Sequence, residues 1–545
     1  MAQKEEPPKE SPVTAEVIAQ AEKVIGITFT DTERQLMVKR TNERIADYEK
    51  LRSISIASSV APVLRFDPSP LCTRSSPAKL SRRIRLSRAR TPTRPANLER
   101  LAFYPVTALS RLIRTRKVSS VELTRMYLTR LRRYNPFLNC VVTFTEELAM
   151  SQAERADREI SAGNYRGPLH GIPWGAKDLF AVRGVPTTWG ALPYKEQVFD
   201  YDAAVVEKLE EAGAVLIAKL SMGSLANGDI WFNGQTKNPW NMQEGSSGSS
   251  AGSACAVSAG LVGFAIGTET LGSIVSPSTR CGVTGLRPTY GRVSRHGAMA
   301  LSWSMDKIGP ICRTVEDCAI VFNAIHGPDG KDPSLVEAPF RWNPRADPRG
   351  IRMGYVKSAF DAERENKACD DQTLEKLRSL GYELVPLELP DYPLNAMSFI
   401  LGAEAAAAFD ELTRSNKDDL LARQDENSWP NTFRRARFIP AVEYINANRL
   451  RSMLIEAMAK TFSEVELYVA PSRGPNLTLT NLTGHPAVVV PNGFSPEGRP
   501  CSSITFTGRL FGEDLTLMAA RTYQDVTDFH KRHPPMKYGK PGEAT

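Results

Sequence analysis

Apolar residues recur at helical spacing along two stretches near the start of the chain, Val17, Ile18, Ala21, Val24 and Ile25 in one and Leu36, Ile45 and Leu51 in the other. This period predicts amphipathic helices from Thr14 to about Ile25 and from Thr30 to about Arg52, the second opened by a Thr30/Glu33 capping box. The same period returns from Thr107 to about Lys117 and from Ser119 to about Tyr134, where Ser119 and Glu122 form a second box and Asn135-Pro136 supplies a stop. Short apolar runs then alternate with helical segments. Val141 to Phe144 reads as a strand, as do the stretch ending at Lys177 and Val215 to Ala218, with helices to about Gly163 and from residue 203 between them. Ile351 to Val356, Asp371 to Leu380 and Tyr382 to Leu387 repeat the β-α-β grammar. Long helices are expected over 394–414 and 440–463, and buried strands at Glu466 to Ala470 and Ala487 to Val490. Strands alternating with helices predict an α/β fold.

One stretch breaks this pattern. From Gly245 to Val293 there are 10 glycines and 9 serines among 49 residues, and the charged side chains are only Glu269, Arg280, Arg287 and Arg292. A flexible Gly/Ser linker lacks the Val, Leu, Ile and Phe that fill Ala254 to Ile266, so the segment is expected to be buried and packed backbone against backbone. Such packing suits a site where main-chain N–H groups approach a ligand closely.

Composition adds limits. The 545 residues are 41% apolar and 24% charged, those of an ordinary globular protein with several structural units. The net charge of +8 sits in residues 74–100, which hold nine Lys/Arg against the single acid Glu99. No aromatic residues are interleaved there for base stacking, so the segment reads as a surface linker and no nucleic-acid partner is expected. The opening MAQKEEPPKES is charged, expected to fray, and has no apolar signal region; a cytoplasmic location is the expectation. The 13-residue apolar run Ala254 to Ile266 is too short for a membrane span. Eight scattered cysteines without a CxxC point to a reducing compartment, and no metal site or cofactor is expected. Walker A, GxGxxG and HExxH motifs are absent. Gly248-Ser-Ser-Ala-Gly252 matches G-x-S-x-G, but a nucleophile elbow needs an apolar strand before it, and Asn238-Pro-Trp-Asn-Met-Gln-Glu is loop chemistry. Clustered buried serines and a lysine ending an apolar stretch remain, the material of Ser-Lys nucleophilic catalysis.

Gly171-Ile-Pro-x-x-x-Lys177-Asp178, Asn238-Pro-Trp240, Ser249-Ser-x-Gly-Ser253, Gly267-Thr-x-Thr-x-Gly-Ser-Ile274 and Cys281-Gly-Val-x-Gly-Leu-Arg-Pro-Thr-Tyr-Gly-Arg-Val-Ser294 together resemble the amidase signature family. The resemblance runs from about Val106 through Asp317, returns near Asn481 and Phe506, and extends to larger amidases with N-terminal helices. It implies a central mixed β-sheet flanked by helices on both faces, with an N-terminal helical appendage. The domain reading is 1–70 helical extension, 71–100 linker and 101–540 catalytic domain, with a core of 101–335 and 466–530 and a peripheral 340–465 region. By position, Lys177 matches the family's catalytic lysine, Ser249 the bridging serine after a cis peptide and Ser273 the nucleophile. Main-chain N–H groups of Thr270, Leu271, Gly272 and Ser273 match the oxyanion hole. A lysine serves as a base only when neutral, so burial must lower its pKa from roughly 10.4 by several units.

The chain departs from the family at Glu269-Thr-Leu271-Gly-Ser-Ile-Val275, where Asp, Gly and Arg are usual. Glu269 and Arg280 are expected to form a relocated ion pair supporting this loop. The implied activity is hydrolysis of a small-molecule carboxylic amide to a carboxylate and ammonia or an amine, and aryl amides, esters or carbamates stay open. Trp231 and Met222 are candidates for binding an aromatic or alkyl group. The alternatives are the A subunit of a tRNA-dependent amidotransferase, or a non-catalytic binding protein on the same scaffold. Ser221-Met-Gly-Ser-Leu225 lacks both acids of the segment usual in the amidotransferase. Assembly as a homodimer is left open.

Overall fold

The computed structural model describes residues 12–56, 60, 62–64, 84–345 and 347–538; the charged opening up to residue 11 and the start of the basic linker lie outside them. The chain forms two compact units, residues 1–65 with 391–453, and residues 66–390 with 454–545.

In the first unit, helices Ala15–Ile25 and Asp31–Arg52 begin at Thr14 and Thr30, and the Thr30/Glu33 capping box is formed. Ile18, Met37, Tyr48 and Leu51 are buried, whereas Val24 faces outward. Arg434, itself buried, pairs with Asp418 and Asp419 at 2.8 Å, and with Glu33. Segments far apart in sequence are thus tied to the N-terminal helices.

The second unit is built on strands β1 (Val141–Phe144), β2 (Pro173–Lys177) and β3 (Val215–Leu220), followed by two short hairpins. These pair β4 (Ile230–Trp231) with β5 (Gly234–Gln235), and β6 (Lys237–Asn238) with β7 (Asn241–Gly245). Then come β8 (Phe264–Glu269), β9 (Thr284–Arg287), β10 (Lys307–Cys312), β11 (Arg352–Val356), β12 (Glu383–Leu387), β13 (Leu467–Pro471), β14 (Ala487–Phe494) and β15 (Pro500–Gly508). Among the described residues, eleven of them form one sheet in the order β1-β3-β2-β8-β10-β9-β14-β15-β13-β11-β12. The sheet is mixed: β3, β2 and β8 are parallel neighbours, while β10 runs antiparallel to β8 and β9. Helices Ala251–Ser258, Val315–Ile325 and Glu513–Asp525 pack against it.

The helix expected to stop before Asn135-Pro136 instead runs from Ser120 to Leu138. Pro136 lies in its last turn, where a missing N–H removes a single ladder bond. The end is set by Asn139 in the left-handed region, whose N–H reaches Asn135 O at 2.8 Å. The apolar run Ala254 to Ile266 divides into the helix Ala251–Ser258 and strand β8, with a turn at Gly260 (φ 65°) between them. The helix sits close to the sheet because Gly252 has no side chain: a Cβ there would lie 2.5 Å from Cys140 O and from Ser221 N. In the described part of the basic segment, Ser87 N–H donates to Glu316 at 2.7 Å and Arg94 pairs with Glu122 at 2.8 Å.

Candidate active site

Lys177 ends β2, and Ala176 lies opposite Ile266 of the parallel β8. Lys177 and Thr268 therefore meet at the C-terminal ends of adjacent parallel strands, where open α/β sheets place their ligands. Lys177 is 0% exposed. Its Nζ lies 2.8 Å from Ser249 Oγ, 2.8 Å from Thr268 Oγ1 and 3.1 Å from Ser250 Oγ. Burial drives its pKa down from 10.5 to about 7, against the upward pull of Asp306 and Glu269.

The hydroxyls around the amine are oriented by their other bonds. Ser250 Oγ donates to Thr268 O at 3.1 Å and accepts the Thr268 N–H at 3.2 Å. Its one proton is used, so toward Lys177 it acts as an acceptor. Ser250 occupies the position before helix Ala251–Ser258 yet makes no capping bond; its hydroxyl turns to the lysine instead. Gly267 makes the room, since a Cβ there would come within 2.7 Å of Ser250 Oγ. Ser249 follows a cis peptide bond from Gly248, as the resemblance implies. Ser273 is half-buried, and its carbonyl accepts the Ser250 N–H at 3.2 Å. The fold thus gathers Lys177, Ser249 and Ser273 in one place.

The loop from Thr270 to Ser273 joins β8 to helix Val275–Cys281. Among the described residues, the N–H groups of Leu271, Gly272 and Ser273 donate to no other group. The loop's left-handed residue is Gly272 (φ 94°). This explains why leucine is tolerated at 271: the positive φ falls one residue later.

Glu269 does not pair with Arg280. Its Oε1 accepts from Arg287 Nη1 and Asn481 Nδ2, both at 2.8 Å, and its Oε2 from the N–H groups of Ile274 (2.8 Å) and Val275 (2.9 Å). Burial pushes this carboxyl up, but Arg287 and the helix N–H groups outweigh it, and the net shift is downward. Arg280, at the far end of the short helix and 38% exposed, pairs with Glu244 at 2.7 Å. Proximity along the chain does not decide the pairing, the sheet does: β9 lies one strand beyond β10 from β8, and its Arg287 meets Glu269 in the core.

Sequence reasoning missed Thr268, which holds the lysine together with Ser250, and the fully buried ion pair of Asp178 with Lys219 at 2.9 Å. Lys219 lies opposite Ala176 on β3, and its pKa is lowered by burial despite Asp178. The adjacent Lys177-Asp178 and a lysine inside an apolar strand were the available signals.

A cavity of about 280 Å³ opens beside the site, bordered by Thr268, Thr270, Leu179, Met299, Leu301 and Trp303. Trp303 is half exposed. Met222 and Trp231 are buried and do not border this cavity. Met222 packs beneath Gly190, and Trp231 lies edge-on against Phe232.

The amidase family profile matches residues 122–477. The A subunit of the glutamyl-tRNA(Gln) amidotransferase from Methylococcus capsulatus is 34% identical over 469 residues, covering 77% of this chain and 96% of that one. Among solved structures, the peptide amidase of Stenotrophomonas maltophilia is 28% identical with a TM-score of 0.71, covering 80% of this chain and 99% of that one. An amidase family protein from Bacillus anthracis is 28% identical with a TM-score of 0.72, covering 81% and 94%. With its fold, its motifs and a profile spanning most of its length in agreement, this chain is an enzyme of the amidase signature family.

Proposed function

We propose that the chain hydrolyses linear carboxylic amides through Ser273, Ser249 and Lys177. The observation that carries this reading is the buried Lys177 amine, held by hydroxyls with its pKa lowered to about 7. A neutral amine has two N–H donors and a lone pair. With the donors directed at Ser250 and Thr268, the lone pair is left for the Ser249 hydroxyl. Ser249 passes its proton to Lys177 and takes the proton of Ser273, whose Oγ attacks the amide carbonyl carbon. The N–H groups of the 270–273 loop stabilise the oxygen that becomes negative. As the C–N bond breaks, the proton returns through Ser249 to the leaving nitrogen. Water then cleaves the acyl-serine ester by the same route, and a carboxylate leaves.

The cavity beside Thr268 and Thr270 suits an apolar group on the substrate, with Trp303 at its edge. Its Arg295 is already matched by Asp332 at 3.1 Å, which favours neutral amides over charged amino-acid amides. The test is turnover of a panel of chromogenic anilides, primary amides and carbamates. The native chain should hydrolyse part of the panel, whereas Ser273→Ala and Lys177→Ala should not. Turnover that survives in both variants would refute the assignment.

A second reading, the A subunit of a tRNA-dependent amidotransferase, draws on the similarity to the Methylococcus capsulatus protein. It predicts stable partner chains that copurify from the native host and activity on glutamine that depends on them. Full activity of the isolated chain on simple amides, with no partner recovered, favours the hydrolase.

A further inference from the structure

Helix Asp31–Arg52 carries Arg40, Arg44, Tyr48 and Arg52 at successive i, i+4 positions, a single row along its surface. This row borders a cavity of about 300 Å³ within the unit formed by residues 1–65 and 391–453, together with Arg435 and apolar walls that include Ile18, Ile45 and Phe438. The volume is at the lower end of the roughly 300–1,000 Å³ of small-molecule sites.

The charges at this cavity are unequally matched. Arg40 pairs with Glu43 at 2.6 Å and Glu426 at 2.8 Å, and Arg52 with Glu443 at 2.6 Å. Among the described residues Arg435 donates to neutral acceptors alone, Asn431 O and Thr432 Oγ1, both at 3.2 Å, with Glu426 and Glu43 acting on it only through their charge. Burial, then the charges of Arg44 and Arg40, push its pKa down to about 10. The Arg44 guanidinium lies over the Phe399 ring at 5.0 Å, and its buried Nη1 has no hydrogen-bond partner among the described residues. Tyr48 is 6% exposed, and its hydroxyl also lacks a partner among the described residues. Buried donors left unpaired cost stability, and here two of them belong to neighbours in one helical row beside an apolar space.

We propose that this cavity binds an amphiphilic carboxylate, a medium-length alkyl chain whose carboxylate accepts from Arg44, Arg435 and Tyr48 while the chain lies against Ile18, Ile45 and Phe438. An uncharged alkyl group would leave the donors unsatisfied and the like charges opposed. A small anion would leave the apolar walls exposed to water. Only a ligand with both parts meets both demands.

The test is calorimetric titration of the full chain with decanoate, decan-1-ol and acetate. Decanoate should bind saturably, decan-1-ol at least about tenfold more weakly, the size of one charge-assisted hydrogen bond, and acetate, which buries no chain, without measurable saturation. Arg44→Met and Arg435→Met should each weaken decanoate about tenfold, and Ile45→Trp, which fills the space, should remove its binding. No saturable binding, or equal affinity in all three variants, overturns the proposal. Cooperative thermal unfolding of each variant establishes that it is folded. If Ile45→Trp does not fold, the two arginine variants and the alcohol comparison decide. The readout is binding at a separate unit, so its failure leaves the amide chemistry untouched.

Discussion

Lys177 owes its basicity to what surrounds it and not to a partner charge, since burial outweighs Asp306 and Glu269 in setting its pKa. Activity that requires the neutral amine should rise with pH through about 7 and then level, so kcat/KM for a non-ionising anilide measured across this range reports the lysine directly. A profile flat from acid to alkaline pH would mean that another group takes the proton. The same shift acts on stability. Between about 7 and 10.5 the unfolded chain holds a proton that the folded chain lacks, so stability rises with pH across that window. Below it, burial of the amine opposes folding in full, on the order of 4 kcal/mol. The stability gap between Lys177→Met and the native chain should therefore shift in favour of the native chain as pH rises from about 7 to about 9, measured by urea unfolding. Glu269 acts with the same sign in a more acidic window: its lowered pKa means that its stabilisation is present above the ordinary carboxylate range and lost as acid protonates it. Glu269→Gln leaves Arg287 charged and buried, and should cost about 3–5 kcal/mol together with most activity, because Ile274 and Val275 lose the carboxylate that positions the 270–273 loop.

At the level of elements, the site depends on how closely helix Ala251–Ser258 and β8 approach their neighbours. Gly252→Ala would set a Cβ 2.5 Å from backbone atoms of Cys140 and Ser221. Neither can rotate away, and a loss of about 1–3 kcal/mol in thermal or urea unfolding is expected. Gly267→Ala presses instead on the Ser250 side chain, 2.7 Å away; its expected signature is a fall in kcat larger than its effect on stability. Much of this was legible beforehand. The Gly/Ser-rich stretch announced close backbone packing, and the capping boxes at Thr30 and Ser119 fixed two helix starts. Strand β8 was hidden because its apolar residues run on from the preceding helix, and an unbroken apolar run carries no period by which to divide it. Asn139, a residue able to adopt the left-handed turn, ended its helix where the proline did not.

Across the whole molecule, residues legible as a motif share a short stretch of chain, and the missed ones are brought in by the sheet. Lys177, Ser249 and Ser273 could be matched by position because each sits in a motif. Arg287 and Asn481, which hold Glu269, could not, since they reach it from β9 and from the helix Pro475–Thr483. The partnership of 391–453 with the N-terminal helices is likewise a tertiary fact, made by contacts such as Arg434 with Glu33 that no local pattern announces. Among the described residues no helix is long and apolar enough to cross a membrane. The central claim is that Ser273 becomes the acylated residue with Lys177 as its base. It is tested most directly by incubating the chain with a fluorophosphonate and locating the adduct by mass spectrometry of its peptides. The account predicts a single adduct on Ser273, forming faster as pH rises through about 7 and almost abolished in Lys177→Ala. An adduct on another residue, or labelling of Ser273 at an unchanged rate without Lys177, would contradict it.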